Sequence, residues 1–384
     1  MSSGIHVLTT FKNRFPSTPR LFFSPGRINL IGEHVDYNDG FVMPAATDKG
    51  IWFAVAANDS DTCNFYSDDF SEEYSANLSA IKPLEGWQNY VLGVVDQLQQ
   101  RELPLQGFDC VFGGNLPVGA GMSSSAAVEC GLLFALNEIF QFQLLRPTMA
   151  TIAQKAEHTF PGVKCGIMDM FASLMGKEDH VILLDTTSLE HEYVPLKSDN
   201  LVILLINTKV HHSLASGEYN VRRAQCEEGL NILKSALGEE VKTFRDIKPA
   251  DVEKNKAALQ PDVFKRCLFV TQEIERTQKA AVLLKEDRLE EFGELMFETH
   301  EGLSKLYDVS CPELDFLVDE AKNYSAIMGS RLMGGGFGGC TINLVYKAEV
   351  TVVAEKILAA YKNKFNIDAE YYEVTTSDGT YEVL

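Results

Sequence analysis

Gly119 and Gly121, followed at once by Ser123, Ser124 and Ser125, stand at the head of an apolar, helix-forming run within GGNLPVGAGMSSSAAVECGLLFALNEIF, residues 113 to 140. Glycine permits backbone conformations and close approaches that a Cβ would block, so the amide N–H groups of Gly119, Ala120, Gly121 and Met122 can converge on an anion. The following helix, expected to end near Phe142, adds its unpaired N–H groups and the positive end of its dipole. The stretch reads as an anion cradle lined with hydroxyls; a plain loop with a serine-capped helix is the alternative.

A second chemical cluster lies near the N-terminus, where Arg27, Asn29, Glu33, His34, Asp36, Tyr37, Asn38 and Asp39 crowd between Gly26, Gly32 and Gly40, with apolar strand-like pieces on both sides. Such polar density beside buried flanks is costly unless paired, and it suits a loop that binds a polyol. Asn38-Asp39-Gly40 taken alone is ordinary turn chemistry. A third cluster joins Glu157, on a predicted helix over Met149 to His158, with Asp169, which sits among Ile167, Met168, Met170 and Phe171. A lone carboxylate in apolar surroundings pairs with a cation, caps a helix or does chemistry.

Of two familiar nucleotide motifs, one is excluded and the other is weak. The Gly176-Lys177 pair is followed by Glu178, so no Walker A motif exists. Gly334 to Gly339 formally contains G-x-G-x-x-G, but it enters the β-rich run Cys340 to Tyr346 where a dinucleotide fingerprint would open a helix. The net charge of −20 repels a phosphate backbone, which argues against nucleic acid and anionic membranes as partners. The longest apolar runs, such as Leu201 to Ile206, suit buried strands and are too short for a bilayer. The first residues lack the apolar core of a signal peptide, so a cytoplasmic location is expected. Eight scattered cysteines show no zinc-like spacing and read as reduced thiols.

The elements that position these clusters are α+β in character. Helices are expected over Ile5 to Arg14, from Trp87 to about Gln100, and over 216 to 237 after a polar loop holding Tyr219. Further helical periodicity runs from Val263 to about Leu306, with a break near Lys285 to Arg288, and over 311 to 324. Ser67 is expected in a polar turn, Trp87 or Tyr90 could stack on a base or pack in the core, and AEYYEV reads as the final strand. A length of 384 residues favours two domains, divided here as 1–195 and 196–384.

Taken together, GRINLIGEHVDYNDG (26–40), NLPVGAGMSSSAA (115–127), AEHTFPGVKCGIMD (156–169), SGEYNVRR (216–223), YDVSCPELDFLV (307–318) and SRLMGGGFGGC (330–340) resemble, in order, the motifs of the GHMP small-molecule kinases, and within them the galactokinase branch. The resemblance covers nearly the whole chain. It implies a two-domain fold with mixed and antiparallel sheets and the active site in the interdomain cleft. It implies ATP-dependent phosphorylation of the anomeric hydroxyl of galactose, with a related sugar 1-kinase or a catalytically silent galactose and ATP sensor as alternatives. Asp169 would be the base and Arg27 its partner at the reacting hydroxyl. Glu33, His34, Val35, Asp36 and Tyr219 would bind the sugar. Ser67 and the loop Gly119, Ala120, Gly121, Met122, Ser123, Ser124 and Ser125 would hold ATP. Ser125 with Glu157 would coordinate Mg²⁺, and a monomer is expected. The chain departs from the family pattern at Val35, Met122, His158, Met170 and Thr186-Thr187.

Overall fold

A computed structural model of the chain describes residues 3–117, 119–196, 200–211 and 215–383; Val118, inside the glycine-serine stretch, lies outside them. Thirteen strands are formed among these residues. In the first half they are β1 (Arg20–Asn29), β2 (Phe41–Val42), β3 (Pro44–Ala57), β4 (Thr62–Ser67), β5 (Glu72–Asn77), β6 (Phe108–Gly114), β7 (His180–Asp185) and β8 (His191–Pro195). The second half supplies β9 (Leu201–His211), β10 (Ile327–Leu332), β11 (Gly338–Tyr346), β12 (Glu370–Val374) and β13 (Tyr381–Val383). A six-stranded sheet runs β13-β1-β3-β6-β4-β5, a four-stranded sheet β10-β11-β9-β12 and a small sheet β2-β7-β8. Only β4 and β6 pair in parallel, so the sheets are mixed and antiparallel, as expected of an α+β chain.

Eleven α-helices accompany them: α1 (Gly4–Arg14), α2 (Gln88–Gln100), α3 (Ser124–Phe140), α4 (Arg146–Thr159), α5 (Met168–Met175), α6 (Ala215–Leu237), α7 (Pro249–Lys254), α8 (Pro261–Lys285), α9 (Leu289–Gly302), α10 (Pro312–Ala321) and α11 (Val350–Phe365). The helical stretch expected over 263–306 breaks where expected, between α8 and α9. It ends in a π-helical turn, Leu303–Tyr307. Against the large sheet, α2, α3, α4 and α5 build the main core, whose interior includes Phe22, Phe53, Val91, Leu133, Ile152 and Phe171. The α3 run is apolar almost all round because it is covered on every side, not one-sided as in a surface helix.

Three sequence expectations fail here. Tyr219 does not lie in a loop before a helix but inside α6, which begins at Ala215. The chain does not end on AEYYEV: β13 follows it and returns to pair with β1. Its three residues are too short to give a periodic signal. Ser67 is not in a polar turn; it ends β4, fully buried and paired with Phe112. Polar residues around it hid a strand whose buried face is Cys63, Phe65 and Ser67. No helix among the described residues is long and apolar enough to cross a membrane.

Candidate active site

The centre of the site is an ion pair made by two elements distant in sequence. In β1 the register with β3 shifts between Pro25 and Arg27, a bulge that re-aims the strand. Gly26 is required there, because a Cβ would meet the Leu116 side chain and the Met122 carbonyl. Beyond the bulge, Arg27 donates from Nε to Asp169 Oδ1 at 2.7 Å and from Nη2 to Oδ2 at 3.0 Å, a bidentate fork. Arg27 also donates from Nη1 to the Gly121 carbonyl, and its backbone N–H reaches Met122 O at 3.1 Å. Burial opposes the Arg27 charge, but Asp169, Glu33 and Asp36 outweigh it and raise its pKa. Asp169 sits in the first turn of α5, about a quarter exposed, and takes a further hydrogen bond from Ser123 Oγ.

The glycine-serine stretch behaves as its composition requires. Gly119 and Gly121 adopt φ of 72° and 68°, in the left-handed region that glycine occupies without strain. Ser123, at φ 56°, precedes α3, Ser124 is exposed at its first turn, and Ser125 hydrogen-bonds the Glu157 carboxylate. A Cβ on Gly121 would stand 3.1 Å from Met333 O, and one on Gly334 would stand 3.4 Å from Gly121 O. The two glycine loops, one from each half of the chain, therefore pack backbone against backbone across the cleft.

Beside the ion pair a cavity of about 140 Å³ is lined by Arg27, Glu33, His34, Asp36, Glu157, Cys165, Asp169, Tyr219 and the Gly334-Gly335 backbone, among others. Each polar wall is fixed from behind. Glu33 pairs with Arg331 Nη1 at 2.7 Å, and Arg331, wholly buried, also donates to the carbonyls of Asn29, Leu30 and Leu332. Asp36 lies against Gly166, where a Cβ would run into its carboxylate. Burial, then the charges of Asp169 and Glu33, push Asp36 up to about 7. Burial takes His34 down to about 4, so its ring is neutral in a neutral solution. The far end of the loop is tied down by Arg245, which donates to the carbonyls of Asp39 and Gly40 and to Asp185. Asp39, at φ 58°, turns the chain there as the tripeptide suggested.

The structure thus gathers Arg27, Asp169, Glu33, His34, Asp36, Tyr219, Ser125 and Glu157, while one expected sugar contact differs. Val35 is wholly buried in the main core and does not line the cavity; its carbonyl closes the turn by accepting from Asn38 and Gly40. Alternation along a loop cannot show which of two neighbouring side chains faces in. Ser67, expected at the nucleotide, lies outside this cavity. Arg331, Cys165 and Gly166 were not singled out in the sequence. The arginine lies in a strand beside the second glycine loop, and only a buried cation needed by a buried Glu33 could have pointed to it.

For a divalent cation the available donors are the Glu157 carboxylate and the Ser125 hydroxyl. Burial, then Asp169, push Glu157 up to about 7, and Ser125, Cys165 and Arg27 offset its negative charge only in part. No group of three or more His, Cys, Asp or Glu among the described residues forms a metal cage. A cation here would bring phosphate oxygens and water as its other ligands, which is the habit of Mg²⁺.

One buried group nearby has no hydrogen-bond partner among the described residues. Glu129, one turn beyond Ser125 on α3, is wholly buried with both carboxylate oxygens unbonded. Burial and then Glu157 raise its pKa well above 4.5. Between its unfolded and folded pKa values the folded chain holds a proton that the unfolded chain has lost, so stability falls as pH rises through that window. Asp36 and Glu157 add the same sign. Glu129→Gln is expected to flatten this decline, its advantage over wild type growing from about pH 5 to pH 8. Thermal unfolding across that range checks it, and parallel curves would refute it.

Comparison with known proteins agrees with this geometry. Residues 9–57 match the family described as galactokinase galactose-binding signature, 89–177 the GHMP kinases N terminal domain, and 280–363 the GHMP kinases C terminal. The galactokinase of Thermotoga petrophila is 41% identical over 360 residues, covering 94% of this chain and 99% of that protein. That of Bacillus subtilis is 39% identical over 370 residues, covering 95% and 94%. The crystal structure of Lactococcus lactis galactokinase complexed with galactose superposes with a TM-score of 0.94 at 30% identity, covering 98% of this chain and 99% of that one. A Methanococcus jannaschii mevalonate kinase, at 19% identity and a TM-score of 0.64, shares the fold.

Proposed function

This chain belongs to the galactokinases of the GHMP kinase family, and on that premise we propose how the residues of the cleft divide the work. The protein transfers the terminal phosphoryl group of ATP to galactose, giving galactose 1-phosphate and ADP. Phosphoryl transfer asks little covalent chemistry of a protein; it needs alignment, charge neutralisation and a place for one proton. The observation that carries the assignment is the bidentate Arg27–Asp169 pair at the wall of a polar cavity.

In this reading Glu33, His34, Asp36 and Tyr219 hold the sugar hydroxyls, and Asp169 accepts the proton of the hydroxyl that attacks. Arg27 holds Asp169 in place and puts a fixed positive charge beside the oxygen where negative charge develops. The backbone amides of Gly119 to Ser125 and the head of α3 cradle the phosphates. When bound, Mg²⁺ would neutralise phosphate charge and orient the transferring group, held by Ser125 and Glu157. Ser123, whose hydroxyl bonds Asp169, helps to orient the base. The division at 195/196 is kept as part of this proposal, with β13 returning to the first half.

ADP release with ATP and Mg²⁺, measured against galactose, glucose, N-acetylgalactosamine and arabinose, tests it. Selective turnover of galactose is expected. Preference for another hexose would give the role of substrate to that sugar, and stabilisation by galactose without ADP would leave only a sensor.

A further inference from the structure

Behind the sugar cavity a chain of hydrogen-bonding side chains runs from His34 to groups that no step above employs. His34 Nδ1 lies 2.7 Å from Tyr37 Oη, which lies 2.9 Å from Tyr307 Oη, which in turn lies 3.2 Å from Cys226 Sγ. Tyr307 and Cys226 are wholly buried. The rings pack as well: His34 is 4.9 Å from Tyr307 and 5.6 Å from Tyr219, and Tyr37 is 5.1 Å from Tyr219, between centroids.

The far end of this chain is rigidly anchored. Tyr307 closes the π-helical turn Leu303–Tyr307, and Asp308 follows at φ 57°. Arg222, buried, donates to the carbonyls of Tyr307 and Asp308 at 3.0 and 2.8 Å, and both Arg222 and Arg266 reach the Asp308 carboxylate. π-helical turns of this kind are frequent at functional sites.

Its direction depends on which ring nitrogen of His34 carries the proton. A neutral imidazole carries one N–H. At Nδ1 the Tyr37 hydroxyl can donate as well as accept. With the proton on Nε2, Nδ1 accepts from the Tyr37 hydroxyl. In that tautomer Tyr37 can accept from Tyr307, and Tyr307 from the Cys226 thiol. Nε2 itself is buried without a hydrogen-bond partner among the described residues, and His34 forms part of the cavity wall.

We propose that Tyr37 and Tyr307 are positioning residues that lock His34 in its Nε2-protonated tautomer, so that the ring presents a hydrogen-bond donor to an oxygen of the sugar. The inference deepens, and rests on, the assignment of His34 to sugar binding. It makes recognition depend on the second half of the chain through Tyr307 as well as through Tyr219.

The test is ¹⁵N NMR of histidine-labelled full-length protein, with the His34 signals assigned by their loss in His34→Asn. The expected wild-type pattern is a protonated Nε2 and an unprotonated Nδ1. Tyr37→Phe is expected to populate the other tautomer and to raise KM for galactose by about 2- to 10-fold, the worth of one hydrogen bond. KM for ATP should stay within about twofold, and kcat should change less than KM for the sugar. Tyr307→Phe should do the same more weakly. A wild-type His34 protonated on Nδ1, or a Tyr37→Phe protein with unchanged spectrum and sugar KM, overturns the proposal. The wild-type spectrum decides even if a variant folds poorly. An Nε2-protonated His34 in a protein that ignores galactose would instead overturn the substrate assignment and leave the tautomer standing.

Discussion

Asp169→Asn is expected to lower kcat for galactose phosphorylation by about 10² to 10⁴-fold, the usual worth of a positioned acid–base group. The substitution keeps the shape of the side chain and one oxygen acceptor but removes the charge and the proton-accepting carboxylate. Arg27 would lose half of its fork, yet Glu33 and Asp36 still face it and Gly121 O still accepts from it. The fold should therefore survive, with KM for galactose little changed because the sugar contacts lie on other residues. Steady-state ADP release beside a thermal melt separates the two effects. A kcat within about tenfold of wild type in a folded variant would remove Asp169 from the role of base and leave electrostatic alignment by Arg27 as the main contribution.

The second large effect belongs to a residue that touches no reacting atom. Arg331→Met should cost about 3–5 kcal/mol of stability, because it strips the partner from a buried carboxylate. Arg331 is 0% exposed and Glu33 is 3% exposed, so little solvent screening softens the loss. Three backbone carbonyls, of Asn29, Leu30 and Leu332, would lose their donor at the same time. Galactose affinity should fall with stability, since Glu33 would protonate or turn away. The control is the double variant Arg331→Met with Glu33→Leu. Two apolar groups in place of a buried pair are often tolerated, so the double variant should regain much of the stability while sugar binding stays lost. Denaturant midpoints and galactose titration read the two quantities. If Arg331→Met alone unfolds at the wild-type midpoint, the pair does not hold the loop.

Much of this site was legible because its signals are local. Gly119 and Gly121 announce positive φ by lacking a Cβ, and both have it. The polar crowd at residues 27–39 between apolar flanks announces side chains that need partners; His34 and Tyr37 bond each other, while Arg27 and Glu33 find theirs far away, in Asp169 and Arg331. The helix break near 285–288 showed in the loss of periodicity and lies there in the structure. Ser67 and Tyr219 were misplaced because polar composition marks turns only on average, and here it decorated a strand end and a helix. Val35 was misread because a side chain inside a tight loop has no period to reveal its direction.

The sequence by itself determined the α+β character, the glycine loops, the acidic balance and the residue types of the chemistry. The tertiary structure alone decided which of those residues meet. Arg331 reaches Glu33 across 298 residues and Tyr307 reaches Tyr37 across 270. No local propensity encodes such pairs; they arise when the sheets of the two halves pack and buried charges and hydroxyls must find partners there or pay the cost of desolvation unrelieved.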